Sequence, residues 1–115
     1  MTDDQQRTPT ETRSLDALEQ RPHAQVFDGE PKTVRLALEE GDEIAPHQHP
    51  DREIVFHVLE GRVSIALGDD DHEHEVAAGD LIRFDGAQDI APTALADTTA
   101  VLVLAPRAAA GDEAA

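Results

Sequence analysis

His47 and His49, two residues apart and followed four residues on by Glu53, are the side chains of this chain best suited to chemistry. In an extended strand residues i and i+2 share a face, so both imidazoles can aim at one point. If Pro50-Asp51-Arg52 connects a hairpin, Glu53 returns opposite His49 and joins them. Two imidazoles and one carboxylate are the facial donor set of non-haem Fe(II), and they also suit Mn, Ni or Zn. A divalent ion there would act as a Lewis acid or an oxygen-activating centre. His57 offers an alternative third donor. In that hairpin 47 lies opposite 55 and diagonal to 57, and diagonal neighbours about 7–8 Å apart at Cα can be joined by long side chains. The plainer role for His57 is to fill the interior.

The elements that must hold these residues are strands. Lys32 to Glu39 alternates, with Val34, Leu36 and Leu38 facing one way and Thr33, Arg35 and Ala37 the other. Gly41-Asp42 turns the chain into 43–49. Residues 54–59 are apolar on both faces, which predicts a strand covered on each side. Further strands are predicted at 63–67, 72–78, 81–84, 89–93 and 99–105, separated by turn residues such as Gly68-Asp69-Asp70-Asp71. Ser14 can cap one short helical turn, Leu15 to Arg21, stopped by Pro22. Many short strands with turns between them predict an all-β barrel or sandwich. Residues 1–22 are expected to be a polar tail with the helical turn, 23–106 the folded domain, and 107–115 a flexible tail.

Composition narrows the partners. The chain has 115 residues, 25 Asp and Glu against 9 Lys and Arg, and a formal charge of −16. Only one of the cations, Lys32, is a lysine. Such a charge argues against binding nucleic acid or anionic membranes. Its self-repulsion nearly vanishes at molar salt, where the Debye length is about 3 Å, and the pattern suits the cytosol of a salt-accumulating halophile. Cysteine is absent, which leaves no disulfide and no thiolate metal site. The opening Met-Thr-Asp-Asp-Gln-Gln lacks the basic and apolar segments of a secretion signal, and no apolar run reaches the roughly 18 residues of a membrane span. A soluble, cytoplasmic protein is expected. No nucleophile–histidine–acid arrangement and no phosphate-cradling glycine loop stands out.

Gly41 to Gly61 as a whole, G-D-E-I-A-P-H-Q-H-P-D-R-E-I-V-F-H-V-L-E-G, resembles the first motif of the cupin superfamily, G-x5-H-x-H-x3–4-E-x6-G. Gly79-Asp80 before an apolar strand resembles the start of the second. The resemblance spans roughly residues 30–105 and implies a jelly-roll β-barrel whose cavity binds a divalent metal (Fe, Mn, Ni or Zn), a small-molecule ligand, or both. It implies His47, His49 and Glu53 as metal ligands, and a cavity lined by Phe56, His57, Asp89 and Thr93. The doubly apolar strands 54–59 and 99–105 suggest a homodimer. The carboxylate position falls on Glu53 counting forward from His49 and on Ile54 counting back from Gly61. A one-residue bulge in 53–60 would reconcile the two. The histidine of the second motif is missing: its position falls on Ile90 by spacing or on Thr93 by the preceding proline. A metal-free ligand-binding, structural or regulatory module is therefore the alternative reading. His72-Glu73-His74-Glu75 follows a run of aspartates and is expected to be solvated surface.

Overall fold

A computed structural model describes residues 9–68 and 73–107. Eight strands form: β1 His23–Gln25, β2 Lys32–Leu38, β3 Arg52–Glu60, β4 Arg62–Leu67, β5 Glu73–Ala77, β6 Leu81–Asp85, β7 Ile90–Ala94 and β8 Thr98–Pro106. They build two antiparallel sheets, a five-stranded one in the order β1-β2-β8-β3-β6 and a three-stranded one in the order β5-β4-β7. The expectation of an all-β jelly roll is met.

The period of two along the strands decides which side chains meet. On β3, Ile54, Phe56 and Val58 turn inward and are at most 1% exposed, while Glu53, Val55 and His57 turn outward. Leu36 and Leu38 of β2 and Leu104 of β8 share that inner face. Val63, Ile65 and Leu67 of β4, Val76 of β5, and Ile90 and Ala94 of β7 meet them from the other sheet. Burying a side chain such as Phe56 contributes about 1.5–3 kcal/mol. The outer face of β3 is half-exposed, so the double-sided cover expected for 54–59 is confined to one side.

The outer face of β2 is covered by the segment leading into β1. Arg35 is buried there at 5% exposure, and its guanidinium donates to the carbonyls of Leu15 (3.2 Å) and Gln20 (2.6 Å). The helical turn expected from Leu15 to Arg21 shortens to a 3-10 turn at Leu15–Ala17. Ser14 provides no side-chain cap and Leu18 is already extended, since the chain must run flat to offer its carbonyls to Arg35.

Residues 43–49 depart from the hairpin expected on the sequence. They run antiparallel to β7, with Glu43 bridging Thr93 and His47 bridging Ile90. The reason lies in the ladders of β3. Both its edges are taken, by β8 and by β6, so the backbone of 43–49 finds its partners on β7 instead. Ile44 N–H donates to Pro92 (2.9 Å), and His47 and Ile90 exchange two bonds of 3.2 and 2.8 Å. The chain then changes sheets at Pro50-Asp51.

A bulge does occur in β3, between Val58 and Glu60, ahead of Gly61 at φ +85°. A side chain at Gly61 would collide with the Asp97 carbonyl and the Thr98 hydroxyl. The bulge falls after Val58, so the alternation from Glu53 to Val58 is undisturbed. Of the expected tails, residues 1–8 and 108–115 lie outside the described residues, as do Asp69, Asp70, Asp71 and His72.

Candidate functional site: a histidine- and lysine-lined cleft

The inner face of the large sheet runs out of core at its β1 edge. His23 pairs with Leu36 and Gln25 with Val34, which places both on the inward-facing side. Both are nevertheless exposed, whereas their outward neighbours Ala24 and Val26 are buried. An inward position left open to solvent marks a cavity. One of about 530 Å³ opens here between β1, the start of β2 and the 43–49 segment. Its polar walls are His23, Gln25, Lys32, His47 and His49, and its apolar walls include Val34, Ile44 and Leu104.

His47 and His49 stand edge to face with ring centroids 5.0 Å apart. The Nδ1 of His47 lies 3.2 Å from the Ala45 carbonyl. Since a carbonyl only accepts, that nitrogen is the donor of the pair. The backbone of His49 is fixed by its N–H donating to the Gly86 carbonyl at 2.7 Å and by its carbonyl accepting from Arg52 at 3.0 Å. Gly86 must be a glycine here, because a Cβ would strike the His49 carbonyl and lie 2.8 Å from that of Arg52. The guanidinium of Arg52, three residues after His49, donates to both oxygens of Glu30 (2.7 and 2.9 Å) and to the Leu104 carbonyl (2.7 Å).

Burial, and after it neighbouring charge, shows in the pKa values. Burial pushes the imidazole of His49 below its ordinary 6.5, and His47, Lys32, Arg52 and His23 act in the same direction. His23 is lowered by burial and then by His47. Glu30 is held below the usual carboxylate range chiefly by its hydrogen bond from Arg52.

The other residues singled out on the sequence lie elsewhere. Glu53 is exposed on the outer face of β3, paired with Asp85 and Ala105. His57 shares that outer face, opposite Leu81 and Val101. Neither reaches the cleft, and the alternation of β3 is the cause. Phe56 is fully buried in the core. Thr93 lies on the face of β7 opposite the core residues Ile90 and Ala94 and pairs with Ser64. Asp89 is exposed, and its carboxylate accepts from the Gln48 amide at 2.9 Å. His23, Gln25 and Gly86 escaped the sequence reading. Lys32 had a signal, being the chain's single lysine.

The comparisons agree with this architecture. The model of the family described as "Cupin domain" matches residues 34–105, more than half of the chain, and the chain belongs to that family. Solved structures share the fold at low identity. An RmlC-like cupin with a double-stranded β-helix fold from Methanocaldococcus jannaschii is 14% identical, with 87% of this chain and 92% of that one covered and a TM-score of 0.70. An RmlC-like cupin from Desulfovibrio desulfuricans is 21% identical over 88% and 100%, with a TM-score of 0.68. TT1209 from Thermus thermophilus is 24% identical over 86% and 100%, with a TM-score of 0.67. No curated protein matches the chain.

The divalent metal that the resemblance implied is poorly served by these side chains. Of its ligand positions, His47 and His49 are present. The inward carboxylate position is Ile54, 1% exposed, and the second-motif position is Ile90, 3% exposed. Among the described residues no group of three His, Cys, Asp or Glu could hold a metal ion. No helix among them is long and apolar enough to cross a membrane.

Proposed function

We propose that this cupin domain binds a small organic molecule in the cleft between β1, β2 and the 43–49 segment, and that it does so without a tightly held metal ion. The observation that carries the reading is the pair His23 and Gln25, directed inward yet open to solvent beside a filled core. Two buried isoleucines in place of metal donors support it. The test is a fragment screen by ligand-observed NMR on the parent protein and on Ile44→Trp, which fills the cleft from its apolar wall. Fragments that bind the parent and are lost from a folded Ile44→Trp support the reading. Fragments that bind both equally place the ligand site elsewhere.

A second copy of the chain is the partner we propose. The outer face of β8, β3 and β6 carries Val55, Val101 and Val103, half-exposed, and Leu81, 62% exposed. Arg83 and Glu53 stand on the same face, on adjacent strands, so the patch offers both signs of charge to itself, as a twofold contact requires. Sizing by light scattering checks this: a dimer is expected for the parent and a monomer for Val103→Glu. We further propose a cytoplasmic setting at high internal salt, as the −16 charge suggests.

A further inference from the structure

We propose that the occupant of the cleft is a small organic anion, a carboxylate with a compact hydrocarbon body, held by Lys32 with His23 and His49. The inference rests on the cleft reading above and adds the chemical class of the ligand. In a chain with 25 carboxylates and 9 cations, no Asp or Glu lines this cavity, whereas the only lysine and three of the six histidines do. Contrast the depression of about 630 Å³ beside β5 and β6, whose walls include Glu73, Glu75 and Asp80. An anion is repelled there and attracted here.

The state of the cations points the same way. Arg52, Arg62 and Arg107 are each bonded to a carboxylate, of Glu30, Glu75 and Asp85 respectively. Among the described residues the Lys32 ammonium has no such partner within ion-pairing distance. Its charge is the one the cleft can offer to a ligand. Glu30, whose carboxyl is held below the usual range by Arg52 and then by Lys32, is already bonded to Arg52, and an anion entering the cleft gives the ammonium a direct charge-assisted partner. Imidazoles add N–H donors suited to carboxylate oxygens. Val34, Ile44 and Leu104 supply the wall against which a hydrocarbon body loses water. A few converging polar groups on an apolar wall is the usual composition of a small-molecule site.

Isovalerate, isovaleramide and isopentylamine, three probes of one shape and different charge, test the class. Each is titrated into the isotopically labelled protein while the ring signals of His23 and His49 are followed. Isovalerate is expected to shift those signals and to bind about tenfold more tightly than isovaleramide, equivalent to about 1.4 kcal/mol. Lys32→Gln should abolish the preference for isovalerate over the amide, and Lys32→Arg should keep it. Equal binding of acid and amide, or tighter binding of the amine, overturns the anion assignment while the cleft reading stands. If none of the three probes moves the cleft signals, the cleft reading falls and the anion with it. The wild-type comparison does not depend on either variant folding.

Discussion

Gly86 and His49 are pressed together at the point where the chain passes from one sheet to the other: the His49 N–H donates to the Gly86 carbonyl at 2.7 Å, and no side chain fits at 86. A glycine on the loop after β6 thus sets the position of a cleft histidine on a distant loop. Gly86→Ala should destabilise the domain by about 1–3 kcal/mol, the usual cost of overpacking, and should shift the His49 ring signals more than those of His57. A variant with parent stability and unmoved His49 signals would remove Gly86 from this role.

The two faces of β3 should respond very differently to truncation. Ile54→Ala is expected to cost about 2–5 kcal/mol, as for other buried aliphatic residues. Glu53→Ala should stay within about 0.5 kcal/mol of the parent, as for exposed surface sites. Chemical denaturation of both variants measures this. A large loss at Glu53 would mean that the alternation is shifted and that Glu53 faces inward.

That alternation is also where the sequence was ambiguous. The strand pattern of 32–38 and the shared face of His47 and His49 are local properties, and local periodicity pointed to them. The direction of Glu53 depended on whether the bulge lay before or after the face-determining run, and a one-residue shift inverts every side chain. The hairpin expected between His49 and Glu53 failed for a non-local reason: β8 and β6 occupy both edges of β3. His23 joins the cleft only through the pairing of β1 with β2, across the loop from Val26 to Pro31, and no spacing rule near His47 points to it.

The cleft imidazoles set a pH dependence. The pKa values of His23 and His49 are lowered from 6.5 by burial first, so the unfolded chain takes up protons before the folded one does. Their contribution is therefore fully present above about pH 6.5 and is lost as pH falls through the lowered folded values. NMR titration should show both rings titrating below the ordinary histidine range, and thermal melts should fall in that window. Ring titrations at or above 6.5 would mean that the histidines are fully hydrated.

Salt should stabilise the fold. With −16 formal charges, screening relieves self-repulsion as the Debye length shrinks from about 10 Å at 0.1 M to about 3 Å at 1 M. Thermal melts from low to molar KCl are expected to rise throughout. A flat profile would mean that the acidic surface is no adaptation to salt.

Binding of isovalerate to the protein before and after chelation tests the central claim most directly, that the cleft itself holds the ligand. Lys32, His23 and His49 stay in place when metal is stripped, so the same affinity and the same ring shifts are expected in both samples. Loss of binding on chelation, restored by one equivalent of Fe, Mn, Ni or Zn, would contradict it and return the site to metal chemistry through His47 and His49.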